Sequence, residues 1–334
     1  MTEASWTRER LMETSGGYWA ACALHAGLRL RVFGALERGP LTAHDLAEAI
    51  RASRRGTAVL LSALAAMGLL SKEGDLFSNT EVARELLCPG SVGYIGHILL
   101  HHHFLMERWA QLPEAVRTGR PVSGASSRSH DKAEQEAFLM GMFNIASGLA
   151  PRVVEAIDLA HRKRLLDLGG GPGTYAVHFC LKNPELHAVI FDLPGTRPFA
   201  EDTVARYGLT GRVAFTPGDF LEDELPSGFD VAWLSQILHG EGPEECRTIL
   251  GKAARALVPG GLLMVHEFLL DDTMDRPLHP ALFSLNMLVG TEKGQSYSEG
   301  QVRDMMAVAS VRDIRRIALP PPATSAILAG TKAG

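Results

Sequence analysis

Short apolar runs alternate with amphipathic stretches through the second half of the chain. Turn residues or acids end these runs, which cover residues 165–168, 187–191, 212–216, 229–234 and 262–267. Between them lie stretches with apolar positions three and four residues apart, as in 243–257. Short buried strands that alternate with amphipathic helices are typical of a doubly wound, parallel sheet. The sequence therefore predicts an α/β, Rossmann-like domain in this half.

The first half of the chain has a helical pattern instead. Apolar residues recur every three or four positions over residues 8–38, 43–50 and 53–68. Residues 69–77 then carry two short apolar segments around Gly74-Asp75, which predicts a β-hairpin. Two helices followed by a hairpin form the outline of a winged helix.

A winged helix raises the question of DNA binding. Arg51, Arg54 and Arg55 give helix 53–68 a basic start, but alanine, leucine and methionine fill most of the rest. A recognition helix needs polar side chains along one face to reach base edges. The apolar surface of roughly the first 35 residues is longer than one small domain can bury, which favours a dimerisation module.

The division between the two halves is predicted near residue 150. A helical region over 92–116 is followed by a polar loop over 121–131, and another helical pattern begins at Glu134 and continues across Pro151. We therefore expect a winged-helix-like dimerisation and substrate-capping domain over 1–150 and a catalytic domain over 151–334.

Composition and charge narrow the class of protein. The 334 residues are 46% hydrophobic, which is enough for a sizeable core, and the net charge of −5 argues against a nucleic-acid or anionic-membrane partner. Four scattered cysteines without C-x-x-C spacing indicate reduced thiols and a cytoplasmic protein. The N-terminus lacks the order of a signal peptide, and no apolar run approaches the roughly 18 residues of a membrane span.

A glycine-rich turn follows the first apolar run of the second half. Residues 169–173 contain four glycines and a proline, and a helical pattern begins directly afterwards. Such a turn lets a ligand lie against bare backbone, and the helix N-terminus offers free N–H donors. A dinucleotide fingerprint needs glycine where Thr174 stands, so the spacing weakens that interpretation. Asp167 would repel a pyrophosphate but attract an ammonium group. S-adenosylmethionine carries an ammonium group and no phosphate.

Acidic residues recur where the next strands end. Asp192 lies 23 positions after Gly169, where a carboxylate can bind both ribose hydroxyls of an adenosine. Gly218-Asp219-Phe220 closes the third strand, which predicts that Asp219 accepts from the adenine amine and that Phe220 lies against its ring. These ends meet at one edge of a parallel sheet and predict an adenosine site.

A histidine follows the fourth strand at the same edge. His239 has a side chain suited to general-base chemistry, because imidazole titrates near neutral pH. Phenols have a pKa of about 10, so a base that removes the proton raises the nucleophilicity of the oxygen. Glu267 ends the neighbouring fifth strand, where it is predicted to orient the imidazole and stabilise its charged form.

A second group of histidines lies in the helical region of the first half. His97 and His101 are four residues apart on one helix face, with His102 and His103 beside them. This spacing is compatible with a metal, but it lacks the H-E-x-x-H pattern and lies among apolar residues. We predict no metal site and a position for His103 at the rim of the acceptor pocket.

Taken together, five motifs resemble the plant-type O-methyltransferases, a family that includes the hydroxyindole and caffeate enzymes and bacterial tailoring enzymes. The motifs are Leu-Asp-Leu-Gly-Gly-Gly-Pro-Gly (166–173), Phe-Asp-Leu-Pro (191–194), Gly-Asp-Phe (218–220), Ile-Leu-His followed by Glu-Glu-Cys (237–246) and Val-His-Glu (265–267). The resemblance covers nearly the whole chain. It implies a class I methyltransferase domain with a mostly parallel, seven-stranded sheet, S-adenosylmethionine as cofactor, and a homodimer formed through the N-terminal domain.

The resemblance also implies roles for particular residues. His239 matches the catalytic base and Glu267 a supporting carboxylate. The expected cofactor contacts are Asp167, Gly169, Gly171, Gly173, Asp192, Leu193, Gly218, Asp219, Phe220, Ser235 and Gln236. The expected small-molecule acceptor contacts are Met142, Phe143, Asn144, Phe283, Asn286, Met287 and His103.

Two positions depart from the family pattern. Gly240 stands where many members have an acid after the base, and Ser296 replaces a second carboxylate near it. Both changes affect the acceptor side rather than the cofactor side. The sequence predicts an S-adenosylmethionine-dependent O-methyltransferase with a phenolic acceptor. Methylation of carbon or nitrogen, and non-methylating chemistry with the same cofactor, are alternatives, and a nucleoside-sensing regulator is a more distant one.

Overall fold

A computed structural model describes residues 6–124, 131–319 and 324–334, and most of the predicted polar loop over 121–131 lies outside them. The chain divides into two compact units, Met1–Leu105 and Met106–Gly334. The boundary predicted near residue 150 falls instead inside a continuous helix of the second unit. The assignment of residues 1–150 to dimerisation and substrate capping stays a prediction.

The first unit combines helices with a small antiparallel sheet. Its helices are α1 (Arg8–Gly16), α2 (Tyr18–Arg29), α3 (Val32–Ala35), α4 (Ala43–Ala49), α5 (Arg54–Ala66), α6 (Glu81–Leu86) and most of α7 (Gly96–Trp109). Its strands are β1 (Leu41–Thr42), β2 (Leu70–Glu73) and β3 (Leu76–Asn79) in the order β1-β3-β2. The predicted hairpin is β2-β3.

The long first helix predicted over 8–38 is broken into three helices and a 3₁₀ turn. Gly17 separates α1 from α2, and Arg31 adopts a left-handed conformation with φ 58° before α3. The break lets Val32, Phe33 and Leu36 turn into the core of this unit together with Leu46 and Leu61 of the following helices. Tertiary packing therefore overrides the helical periodicity.

The second unit contains the remaining elements. Its helices are α8 (Leu112–Thr118), α9 (Lys132–Glu155), α10 (Thr174–Lys182), α11 (Arg197–Arg206), α12 (Pro243–Ala256), α13 (Leu278–Gly290) and α14 (Glu299–Val308). Its strands are β4 (Arg164–Leu168), β5 (His187–Asp192), β6 (Val213–Pro217), β7 (Phe229–Ser235), β8 (Leu257–Glu267), β9 (Val311–Ile317) and β10 (Ala326–Lys332).

These strands form one seven-stranded sheet in the order β6-β5-β4-β7-β8-β10-β9. Strands β4 to β8 pair in parallel, and β10 pairs antiparallel to both β8 and β9. The predicted Rossmann-like, mostly parallel sheet is confirmed. Chain order reverses between β4 and β7, so their carboxyl ends flank the crevice where such sheets bind ligands.

Helices cover both faces of this sheet and bury its alternating side chains. Leu165, Val231 and Trp233 face α10, α11 and the C-terminal part of α9. Leu166 and Leu234 face α12 and α14 on the other side. Because side chains alternate along a strand, consecutive residues at a strand end serve opposite faces of the sheet.

The helix α9 is the one described helix whose length and composition would allow it to cross a membrane. Its C-terminal part packs into the sheet core through Ala150, Val153 and Val154. Core helices pass the same test of length and composition, so the helix carries no inference about membranes.

Helix α5 provides a test of the first unit's core. Leu61 is fully buried in it, whereas Val59 on the same helix is 64% exposed. We expect Leu61→Ala to lower the free energy of unfolding by about 2–5 kcal/mol, because it leaves a cavity. The matched change Val59→Ala should alter it by less than about 0.5 kcal/mol. Urea unfolding followed by circular dichroism measures both, and equal effects would contradict the packing described for α5.

Candidate active site

The glycine loop joins β4 to α10 and exposes backbone at the centre of the crevice. Gly169, Gly171 and Gly173 all have positive φ, at 65°, 55° and 77°. A Cβ on Gly173 would lie 2.3 Å from Ile190 Cδ1, whereas a Cβ on Gly171 would meet no atom within 4 Å. Gly173 therefore packs the helix against the sheet, and Gly171 leaves room for a ligand.

Asp192 at the end of β5 is tied to this loop. Its Oδ2 accepts from the backbone N–H of Gly171 at 2.8 Å. Its Oδ1 accepts from the N–H of Leu193 at 2.6 Å and from Thr196 Oγ1 at 3.2 Å. Burial raises the pKa of this carboxyl, although the backbone donors oppose the rise. The structure thus brings the predicted ribose acid next to the glycine loop.

Asp167 braces the loop from the core side. The side chain is 1% exposed, and Oδ2 accepts from the N–H of Ala176 at 3.2 Å. A Cβ on Gly170 would lie 2.6 Å from the carboxyl carbon of Asp167, so the loop rests directly on this group. Burial raises the pKa of Asp167 to about 7, and the nearby Asp192 charge adds to the effect.

The end of β6 approaches the same loop. Gly218 packs against the ring of Phe191, where a Cβ would be 2.2 Å from Cζ. Asp219 Oδ1 accepts from the N–H of Leu221 at 3.0 Å. The Phe220 ring lies near Gly169, since a Cβ there would be 3.4 Å from Phe220 Cε1. The ends of β4, β5 and β6 therefore meet as the sequence predicts.

Ser235 and Gln236 follow β7 and are held by His266 of β8. Ser235 Oγ lies 2.9 Å from His266 Nδ1, and the N–H of Gln236 donates to the His266 carbonyl at 2.9 Å. Gln236 has a φ of 59°, a left-handed conformation for a residue with a side chain. Burial lowers the pKa of His266 to about 4, so its ring is neutral at neutral pH.

The His266 ring extends a buried polar network that the sequence analysis missed. Its Nε2 lies 2.7 Å from Ser325 Oγ, and the Tyr175 hydroxyl of α10 hydrogen-bonds Ser235. The ring also stacks on Trp233 with centroids 5.4 Å apart. The signal available in the sequence is a histidine at an otherwise apolar strand position, directly before Glu267.

The geometry of the crevice is compatible with bound S-adenosylmethionine. Thr174 Oγ1 and Gln236 Oε1 are both buried and have no hydrogen-bond partner within the described ranges. Buried polar atoms normally have partners, so a ligand that supplies them fits here. Gly171 offers open space beside them, and Asp167 and Asp192 supply negative potential for a cationic ligand.

His239 and Glu267 form a direct pair. His239 Nδ1 lies 2.8 Å from Glu267 Oε2, and Glu267 Oε1 accepts from the N–H of Leu238 at 2.8 Å. The glutamate side chain is 3% exposed and the histidine side chain 14%. A carboxylate only accepts, so the proton sits on Nδ1 and the lone pair on Nε2 remains available as a base.

Two further side chains hold the turn that carries His239. The Cys246 thiol donates to the Leu238 carbonyl at 3.1 Å, and the Tyr297 hydroxyl donates to the Glu241 carbonyl at 2.5 Å. Burial raises the pKa of the Cys246 thiol to about 12, which keeps it protonated as a donor. Tyr297 lies outside the five motifs, and Cys246 belongs to one of them, but neither pattern indicates that these side chains bond to the backbone of the turn.

Aromatic side chains lie against the base on the side of α13. The Phe283 ring meets His239 edge-on, with centroids 4.8 Å apart. Phe283 also contacts Phe268 at 4.9 Å, and Phe268 contacts His279 at 4.7 Å. Of the predicted acceptor residues, Phe283 is the one that the described ring contacts bring directly to the base.

Ser296 and Gly240, the two residues that depart from the family pattern, lie near α13 and in the turn that carries His239. Ser296 is fully buried and donates from Oγ to the Pro280 carbonyl at 2.8 Å, so it fixes the start of α13. Gly240 ends the 3₁₀ turn Leu238–Gly240, and a Cβ there would meet no atom within 4 Å. The place of a second acid is thus taken by a neutral hydroxyl that acts on the helix carrying Phe283.

The other predicted acceptor residues are more dispersed. Asn286 Oδ1 accepts from Trp109 Nε1 at 2.9 Å, and Met287 is largely buried. Phe143 on α9 lies with its ring 6.0 Å from the Arg206 guanidinium, a residue of α11 that is outside the predicted set. Met142 and Asn144 are half-buried on α9. His103 belongs to the first unit, where its ring contacts His25 and Phe104.

The histidines of α7 have aromatic rather than metal-like surroundings. His97 contacts the Tyr94 ring at 5.2 Å, and burial lowers the pKa of His102. Across residues 6–124, 131–319 and 324–334, no group of three or more His, Cys, Asp or Glu side chains is arranged to hold a metal ion.

Comparison with known families identifies both units. Residues 109–311 match the model of the O-methyltransferase domain, and residues 12–88 match that of the O-methyltransferase dimerisation domain. The chain belongs to the O-methyltransferase family. The resemblance inferred from the five motifs is therefore confirmed, and this O-methyltransferase is an S-adenosylmethionine-dependent enzyme.

Relatives of this O-methyltransferase span its whole length. It is 32% identical to 3-hydroxy-5-methyl-1-naphthoate 3-O-methyltransferase of Streptomyces sahachiroi over 97% of this chain and 95% of the relative. An O-methyltransferase family protein from Burkholderia thailandensis superposes with a TM-score of 0.88, 28% identity and 99% coverage of both chains. Human N-acetylserotonin methyltransferase in complex with S-adenosylmethionine superposes with a TM-score of 0.85, 27% identity and 100% coverage of both.

We expect the raised pKa of Asp167 to make cofactor binding sensitive to pH. A bound ammonium group favours the ionised carboxylate, so binding releases a proton wherever Asp167 is protonated in the free enzyme. With a pKa of about 7, affinity should rise about tenfold from pH 6 to pH 8, relative to Asp167→Asn. Calorimetric titrations in two buffers of different ionisation enthalpy measure both the affinity and the released proton. An identical pH dependence in the variant would contradict a role for Asp167.

Proposed function

We propose that this O-methyltransferase methylates a phenolic hydroxyl of a small aromatic acceptor, with His239 as the general base. The observation that carries the proposal is the His239–Glu267 pair at the same sheet edge as the glycine loop. The His239 ring meets the aromatic ring of Phe283 edge-on. This arrangement combines a base with a wall for a flat acceptor.

His239 and Glu267 have different roles in removing the proton. His239 Nε2 accepts the phenolic proton as the oxygen attacks, which leaves an imidazolium ring. Glu267 holds Nδ1–H through the reaction and stabilises the new positive charge, since its carboxylate is buried and fixed by the N–H of Leu238. The Cys246 and Tyr297 bonds keep the turn in place, which limits the cost of orienting the base.

The cofactor contacts follow the strand ends. S-adenosylmethionine, when bound, supplies an electrophilic methyl group on a sulfonium. We assign the glycine loop and Asp167 to its methionine end and Asp192 with Leu193 to its ribose. Gly218, Asp219 and Phe220 are assigned to the adenine, and Ser235 with Gln236 to the adjoining wall. The orphaned oxygens of Thr174 and Gln236 support this assignment.

The acceptor class is supported by the aromatic wall and by the names of relatives. The Streptomyces sahachiroi relative is named for a hydroxynaphthoate, a flat bicyclic phenol. Phe283 and Phe268 present apolar ring surface next to the base, and Ser296 keeps this region neutral where the family pattern has an acid. A neutral or anionic aromatic acceptor fits this wall better than a cationic amine does.

The first unit is proposed to join two copies into a homodimer, which its dimerisation-domain match supports. Several large apolar side chains on α1 and α2 are exposed, including Met12 at 69% and Trp19 at 70%. Apolar surface of this kind marks association sites. The substrate-capping role of residues 1–150 is part of this proposal.

Removing the base tests the proposed chemistry. We expect His239→Ala to lower kcat by about 100- to 10,000-fold, because the phenol must then ionise unaided. Affinity for S-adenosylmethionine should stay within about twofold of wild type, since the ring does not touch the glycine loop. Transfer of labelled methyl to a panel of naphthols, other phenols, carbon acids and amines measures the rate, and equilibrium dialysis measures binding.

Two companion variants sharpen this test. Glu267→Gln can place an amide N–H against Nδ1, which moves the imidazole proton to Nε2 and should also lower kcat strongly. His187→Ala removes an exposed histidine at the start of β5 and should leave kcat unchanged. Full activity of His239→Ala would exclude the base assignment, and methylation of amines alone would exclude the phenolic acceptor.

The proposed homodimer is tested at Trp19. We expect Trp19→Asp to weaken self-association by at least about tenfold, because it places a charge on an apolar contact surface. Leu181→Asp is a matched change at a 46% exposed leucine of the second unit and should leave association unaltered. Sedimentation velocity over a range of concentrations reports the association constant. A dimer of unchanged strength in Trp19→Asp would remove α2 from the interface.

A further inference from the structure

Lys252 is a buried lysine in the middle of α12 that no motif singles out. The residue is 8% exposed, and its ammonium group donates to three backbone carbonyls. The distances from Nζ are 3.1 Å to the Phe220 oxygen, 2.6 Å to the Leu221 oxygen and 2.9 Å to the Asp223 oxygen. An ammonium has three N–H donors, so its hydrogen-bonding capacity is filled by this one segment.

The segment that Lys252 holds follows the end of β6. Two hydrogen bonds within the segment join its ends. The N–H of Asp219 donates to Asp223 Oδ2 at 2.8 Å, and the N–H of Asp223 donates to the Asp219 carbonyl at 2.8 Å. Its Phe220 ring projects toward Gly169 of the glycine loop. Lys252 therefore holds the segment from the α12 side, where the Phe220 ring packs against the core and also reaches the glycine loop.

A buried cation is unfavourable unless the surrounding dipoles compensate for its lost hydration. Here the carbonyls of Phe220, Leu221 and Asp223 supply that compensation, and their alignment around one point restricts the backbone of the whole segment. An apolar side chain at the same place would leave three carbonyls without this donor. The shape of the segment therefore depends on the ammonium group.

We propose that Lys252 is a positioning residue for the adenine end of the cofactor. It acts through the backbone of residues 220–223 and makes no contact with the cofactor itself. The inference rests on the assignment of Asp219 and Phe220 to the adenine in the proposed function. It does not depend on the acceptor or on the identity of the base.

The chain offers a matched control in Lys182 at the end of α10. Its Nζ also donates to three backbone carbonyls, those of Val154 at 2.7 Å, Glu155 at 3.2 Å and Ile157 at 3.4 Å. These carbonyls belong to the end of α9 and the residues after it, away from the strand ends that form the crevice. Lys182→Met therefore removes a similar set of bonds from a more exposed lysine, which also pairs with Glu155 Oε2 at 3.5 Å, without touching residues 219–223.

The experiment compares ligand binding to wild type, Lys252→Met and Lys182→Met by calorimetry. The probes are S-adenosylhomocysteine and adenosine, which share the adenine but differ in the amino-acid part. Loss of the clamp should weaken both ligands in Lys252→Met by the same factor, on the order of tenfold. Lys182→Met should bind both within about twofold of wild type. At saturating S-adenosylmethionine, kcat of Lys252→Met should be nearly unchanged while its KM for S-adenosylmethionine rises.

Three binding results would count against the proposal. If the affinity of Lys252→Met for both ligands is unchanged, or if Lys182→Met loses as much affinity, Lys252 only stabilises the fold. If S-adenosylhomocysteine binds more weakly and adenosine binds as before, the effect lies at the amino-acid end of the cofactor and not at the adenine. If Lys252→Met does not fold, Lys252→Gln, which keeps two N–H donors, is compared in its place and is expected to show a smaller, equal loss for both ligands. A wild type that binds S-adenosylhomocysteine but methylates no phenol would refute the proposed function and leave this comparison valid.

Discussion

The carboxylate of Glu267 is the group on which the catalytic edge of this O-methyltransferase depends. The Glu267 side chain is 3% exposed, and a charge so deeply buried is tolerated only with strong partners. Both partners come from the turn after β7, namely the N–H of Leu238 and the imidazole of His239. The glutamate thus fixes the backbone of the turn and the side chain that the turn presents. The parallel register that pairs Ser235 with His266 brings the two strand ends to the same height.

Strand alternation gives this edge two separate polar systems. Glu267 bonds to His239, the proposed base, whereas His266, one residue earlier, faces α10 and connects Ser235 with Ser325. The hydrogen bonds described for the two systems use different side chains. Changes on the acceptor side, such as serine at position 296, are therefore compatible with an intact cofactor crevice. This separation explains physically how one fold and cofactor serve many acceptors.

The sequence predicts most of what the sheet's carboxyl edge contains. Glycines at 169, 171 and 173 and the acids at 167, 192 and 219 follow strands whose apolar runs are plain in the chain, and local patterns of this kind carry over into structure. Lys252 and Tyr297 lie outside the five motifs, and the motif that contains Cys246 does not indicate its role. Their roles consist of hydrogen bonds to backbone groups that only the tertiary packing brings near. For the same reason, periodicity alone misses the breaks at Gly17 and Arg31, where packing of the first unit bends the chain.

The charge of the crevice also favours a cationic ligand. Asp167, Asp192 and Asp219 lie at three neighbouring strand ends, and burial makes the first two costly to ionise without a positive neighbour. A ligand with a sulfonium and an ammonium lowers that cost. A ligand that has lost the sulfonium charge lowers it less, because the Coulomb energy falls with the charge removed. The acids at these strand ends therefore suit a cationic ligand better than a neutral one.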